Sequence, residues 1–136
     1  MKYAGRIYKD GKFWLAEIPI LDAMTQGRTR GEALKMAGDL VRTMANDDRV
    51  DVCVSPRGRD SFTVGLSDAR VAIALLLRRV RQASGRSLGD LARSLGASSR
   101  NAYARYEQGA SNPTAEKLQE LWHAACPDCD IVLDKG

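Results

Sequence analysis

From Ser67 onward the sequence is cut at short intervals by helix starters and helix stoppers, and this punctuation leaves few folds open. Ser67 is the expected N-cap of a helix running to Ser84, with Gly85 as its stop. Ser87 starts a second helix; Asp90, three residues on, completes a capping-box pair, and Gly96 ends it. Ser98 or Ser99 caps a third, Arg100 to Gln108, which Gly109 closes, and Thr114 caps a fourth after the turn Ala110-Ser111-Asn112-Pro113. Apolar residues recur at helical spacing behind these caps: Leu88, Leu91, Ala92 and Leu95, then Tyr103 and Tyr106, then Ala115, Leu118, Leu121, Trp122 and Ala125. The first helix is different, because Val71-Ala72-Ile73-Ala74-Leu75-Leu76-Leu77 is apolar all round. Such a helix is buried on two sides, with Ile73, Leu77 and Val80 turned to its own bundle and Leu75 to the rest of the chain or a second copy. The expected product is a compact bundle with a helix, tight turn, helix unit at its centre.

The first half follows another rhythm. Lys2 to Tyr8 and Phe13 to Ile18 read as a hairpin around Asp10-Gly11, and a third short strand is expected near Ala23 to Gln26. Thr29 and Glu32 form a capping box ahead of a helix ending near Asn46, on which Ala33, Leu34, Ala37, Leu40, Val41 and Met44 share a face. Val50, Val52 and Val54 alternate with Asp51 and Cys53 as a half-buried strand. Ser55 to Ser61 has the composition of a loop. The expected class is therefore α+β: a β-β-β-α-β domain over residues 1–60, a linker or short strand over 61–67, a four-to-five-helix domain over 68–126 and a tail over 127–136.

The function classes narrow next. No stretch approaches the roughly 18 apolar residues of a membrane span, and Met1 to Arg6 has no export-signal core. With three cysteines, an odd number, this makes a reducing, cytoplasmic setting the expectation. No histidine or Gly-rich phosphate loop occurs in the first half, so no catalytic residue, cofactor or metal site is expected there; Asp10, Glu17, Asp22 and Asp39 read as solvated turn and face residues. Between Ala69 and Ala125 nine basic residues stand against four acidic ones, so most of the net charge of +4 sits in less than half of the chain. A phosphate-binding surface is the functional reading of that excess.

A short capped helix offering arginine and asparagine from its first turn has what major-groove reading requires: Arg100 can grip guanine O6 and N7, Asn101 adenine N6 and N7, and the small Ala104 lets the backbone approach. Ser87, Ser98 and Ser99 sit at helix starts where hydroxyls and N–H groups can hold phosphates, and Arg105, Gln108 and Ser111 complete the expected DNA-binding set.

Ser87-Leu88-Gly89-Asp90-Leu91-Ala92, Leu95-Gly96, Tyr106-Glu107-Gln108-Gly109 and Pro113 together resemble the Cro/cI-type helix-turn-helix. The longer string Ser99-Arg100-Asn101-Ala102-Tyr103-Ala104-Arg105-Tyr106-Glu107-Gln108-Gly109, behind a strand-strand-helix-strand first half, resembles the HicB antitoxins of bacterial toxin-antitoxin pairs. That resemblance implies a partial ribonuclease H-like first domain that binds and blocks a small RNA-cleaving HicA-type toxin. It also implies a second domain that binds operator DNA as a homodimer or higher oligomer and represses the shared operon. Two features depart from the pattern: no glycine accompanies Asp22, and the stretch between Gly96 and Glu107 is one residue longer. The rival expectations are a stand-alone regulator with a sensing or dimerising first domain, and a nuclease with converging metal-binding carboxylates.

His123, Cys126 and Cys129 hint at zinc, and Cys126-Pro127-Asp128-Cys129 at a redox dithiol, but a structural zinc site needs four ligands and the remaining cysteine, Cys53, lies in the other domain, and the motif follows a helix where a redox dithiol opens one. A turn into the apolar tail Ile131-Val132-Leu133 is expected there, and the tail could pair as an edge strand.

Overall fold

The structure is a computed structural model that describes residues 1–96 and 100–135. Its first half contains β1 (Lys2–Asp10), β2 (Phe13–Ile18), a 3-10 turn (Pro19–Leu21), β3 (Ala23–Gly27), α1 (Arg30–Ala45), β4 (Val52–Arg57) and β5 (Ser61–Leu66). The second half is helical, with α2 (Ala69–Ala83), α3 (Leu88–Ser94), α4 (Arg100–Glu107) and α5 (Ala115–Ala125). The α+β class is as expected.

The five strands form one antiparallel sheet in the order β3-β2-β1-β5-β4. Residues 61–66, expected as a linker or short strand, are an inner strand that lies between β1 and β4. Gly58, at φ 65°, closes the β4–β5 hairpin, so the segment whose composition reads as a domain boundary is a turn inside the sheet. Pro56 lies on β4, an edge strand, where its missing N–H leaves no inner ladder broken.

Alternation along the strands buries one face, through Tyr3, Ile7, Ile18, Phe62 and Val64, against α1. Gly27 lets α1 come down on β3, since a Cβ there would stand 2.4 Å from the backbone nitrogen of Ala33. At the start of α1, Thr29 accepts from the Glu32 N–H at 3.1 Å, while the Glu32 carboxylate accepts from the N–H of Arg28, one residue beyond the box position. Asn46 ends the helix in the left-handed region.

α2 belongs to both halves. Ala72 and Leu75 enter the core under the sheet, whereas Ile73, Leu77 and Val80 join Leu91, Tyr103, Leu121 and Trp122 in a second core among the helices. The all-round apolar run thus meets the first domain on one side and its own bundle on the other. Polar contacts fix the seam: the Tyr3 hydroxyl donates to the Ala72 carbonyl at 2.6 Å, and Arg79 donates to the carbonyls of Leu21 and Asp22 at 2.8 and 2.9 Å. Arg78 donates to the Met44 carbonyl.

The cap of α2 is Asp68, whose carboxylate accepts from the Arg70 N–H, and not Ser67. Ser67 is drawn off by the sheet: its hydroxyl accepts from the Asp51 N–H and its own N–H donates to the Asp51 carbonyl, both at 3.0 Å.

Candidate nucleic-acid interface

α3 begins at Ser87 with a complete capping box, the Ser87 hydroxyl accepting from the Asp90 N–H and the Asp90 carboxylate accepting from the Ser87 N–H. The N–H and hydroxyl of Ser87, joined by Arg93, hold the Asp90 carboxyl down at about 2. A carboxylate therefore already occupies the positive end of this helix and engages the Ser87 donors. Gly96, at φ 68°, ends the helix, and α4 begins at Arg100. Ser98 and Ser99, expected at the start of α4, lie outside the described residues.

α4 divides cleanly by face. Tyr103 and Glu107, one turn apart, are buried, and Tyr106 is half-buried among the neighbouring core residues. Asn101, Ala104, Arg105 and Gln108 fall at the i, i+3, i+4 and i+7 positions of the opposite stripe, with Asn101, Arg105 and Gln108 exposed and Ala104 half-buried. Arg100 is exposed at the first turn, and Ser111 is half-buried just beyond the helix. The structure thus brings Arg100, Asn101, Ala104 and Arg105 onto one short helix, with Gln108 one residue past its end.

What holds that helix is a contact with no local signal in the sequence. Arg81 of α2 grips Glu107 with two bonds, at 2.6 and 3.1 Å, and gives a third to the Arg86 carbonyl. The pair is only 14% and 7% exposed, and the Glu107 carboxylate raises the Arg81 pKa further. Burial also pushes the Tyr103 phenol up, so it stays neutral beside this pair. Arg86 in turn donates to the Ala124 carbonyl at the end of α5 and to Ser94 of α3.

These contacts redistribute the expected phosphate-binding charge. Arg78, Arg79, Arg81 and Arg86 are bound to carbonyls and a carboxylate within the protein, and Arg70, Arg93 and Lys117 each pair with an acid on their own helix or its cap. Arg100 and Arg105 carry the exposed cationic character of α4. The number of arginines was legible; their division between scaffold and surface was not.

At the end of α5 the Cys129 N–H donates to the Cys126 carbonyl, which brings the two Cα atoms within 5.3 Å, and a disulfide joins them. The expected turn is there, closed by a bridge where thiols in a reducing setting were expected. Residues 127–135 enter no strand, and Val132 and Leu133 are almost fully exposed. Among the described residues no three His, Cys, Asp or Glu side chains gather as a metal site, and no helix is long and apolar enough to cross a membrane.

Residues 77–122, from the middle of α2 to the last turn but one of α5, match the helix-turn-helix family model. No curated protein matches the chain. Residues 77–122 are thus a Cro/cI-type helix-turn-helix domain, the DNA-binding unit of transcriptional regulators, with α3 and α4 as its central helix pair.

Proposed function

We propose that this chain is the antitoxin of a type II toxin-antitoxin pair, one that represses its own operon through the helix-turn-helix and neutralises a small HicA-type ribonuclease toxin through the sheet domain. The observation that carries the DNA-binding half is the stripe Asn101, Ala104, Arg105, Gln108 on an α4 whose other face is anchored by Tyr103 and Glu107. Long donors flank a small residue there, which suits entry into a major groove and bidentate contact with base edges. Two copies present paired α4 helices to half-sites about one helical turn apart, so the operator is roughly palindromic.

The antitoxin half rests on the resemblance of the Ser99–Gly109 string and on the layout of the first domain. Its sheet has open edges at β3 and β4, and an edge strand is a ready site for a partner chain. A second reading, a stand-alone regulator with a sensing first domain, is favoured by one feature. A cleft of about 240 Å³ lies where α1, α2 and α4 meet, lined by Asn46, Asp47, Arg78, Glu107 and Gln108.

Co-expression with the product of the adjacent reading frame separates the two. A stable complex that relieves growth arrest supports the antitoxin, while no complex leaves the regulator. For the DNA half, the operator is selected from a random duplex library. Arg100→Ala should then cost about 1–3 kcal/mol and relax the preference at one position.

A further inference from the structure

α1 and α2 cover one face of the sheet; among the described residues nothing covers the other. On it the register sets Tyr8 opposite Leu15 and Phe13 opposite Asp10, so the two rings are diagonal neighbours, 39% and 41% exposed. β1 and β2 run past the end of β5, whose pairing with β1 stops at Arg6 and Ser61. The hairpin carrying the rings therefore projects as an arm. The β4–β5 turn lies at its base, where the Ile7 N–H donates to the Asp60 carbonyl at 3.0 Å.

That turn is braced. Arg30, from the first turn of α1, donates to the carbonyls of Gly58 and Arg59 at 3.0 and 3.1 Å, and the Ser61 hydroxyl donates to the Arg57 carbonyl. Arg57 and Arg59 are exposed on it, and Lys12 is exposed at the tip of the arm.

We propose that this face binds single-stranded nucleic acid, with Tyr8 and Phe13 stacking on bases and Arg57 and Arg59 holding phosphates. Three observations favour this ligand over a protein. The apolar surface on this face is small, the two rings with Leu15 and Met24, and it is broken by Arg6 and by Glu17, which accepts from both the Tyr8 hydroxyl and Arg6, whereas a protein interface is centred on a continuous apolar patch. The cations sit on a fixed turn at the margin of the rings, matching a backbone that runs beside its own bases. An open sheet also offers its rings to unpaired bases, which a duplex keeps stacked inside itself. The surface is separate from α4 and does not depend on the antitoxin reading.

The test measures fluorescence anisotropy of the full chain with labelled oligouridylate and oligothymidylate of about 12 nucleotides, and with a mixed-sequence duplex. Both single strands should bind, with affinity that falls as salt rises. Tyr8→Ala/Phe13→Ala should weaken single-strand binding at least about tenfold and leave duplex binding unchanged, which also reports that the chain is folded. Arg57→Ala/Arg59→Ala should weaken it and flatten the salt dependence, and Arg105→Ala should lower duplex binding alone. Preference between the two oligomers tells RNA from DNA. No single-strand binding at low salt overturns the proposal and leaves the face to a protein partner; equal affinity in the ring variant, or a loss tracking Arg105→Ala, overturns it too.

Discussion

Glu107→Gln isolates the contact that anchors the recognition helix. The substitution keeps the shape of the side chain and removes its charge, leaving the Arg81 guanidinium, 14% exposed, without its carboxylate partner and with its bond to the Arg86 carbonyl intact. Removing one partner of a buried ion pair costs about 3–5 kcal/mol, chiefly because the other charge is stranded out of water. Arg81 keeps that third bond and the glutamine oxygen can still accept one of the two it loses, so the expected cost is near the lower end, about 3 kcal/mol. For a chain of this size that lowers the thermal midpoint by roughly 10 °C. Urea unfolding followed by circular dichroism measures it directly. The same experiment on Arg81→Met/Glu107→Met, which removes both charges, should recover most of the loss, because an apolar pair of similar volume strands nothing. A Glu107→Gln midpoint within about 0.5 kcal/mol of the parent, or a double variant worse than the single one, would refute the reasoning.

Four further outcomes follow from the same geometry. Leu75→Ala should cost about 2–5 kcal/mol in denaturant unfolding, since this side chain is 1% exposed under the sheet. Gly27→Ala should destabilise more than a surface glycine change, because its Cβ meets the α1 backbone and not a side chain that can turn away; Gly31→Ala, with open space around it, is the control. Ser87→Ala should cost about 1 kcal/mol through loss of the α3 cap, read by the same unfolding curves. Acid titration should show the Asp90 contribution: its folded pKa of about 2 lies below the usual 3.8, so the stabilisation is full above about pH 4 and disappears as pH falls toward 2. Asp90→Asn should flatten that part of the curve, and an unchanged slope would mean that the capping box does not form in solution.

The helical half was legible because its caps, glycine stops and apolar spacing are local signals, and each chooses the same structure independently. Even the double burial of α2 could be read, since a helix apolar all round has no side to give to solvent. What escaped was non-local. β5 pairs with β1, some sixty residues away in sequence; the alternation of Phe62 and Val64 allows a short strand, but nothing in Ser61–Leu66 by itself makes it an inner one. Ser67 and Asp68 are both good caps, and the choice between them is made by Asp51, which the sheet brings alongside Ser67. Glu107 looked like one more acid in a polar stretch. Its place on the Tyr103 face of α4 was the available hint that it is buried, and its partner on α2 has no periodic relation to it. On α4 itself the outward residues could be chosen from the sequence, because the positions of Tyr103 and Tyr106 fix which side is turned in.

An NMR titration of the isotope-labelled chain with its selected operator duplex tests the assignment of the DNA surface most directly. Amide shifts should concentrate on α4 between Arg100 and Gln108 and at the start of α3, with the strands nearly unmoved. Shifts centred on the sheet, with α4 unmoved, would contradict it.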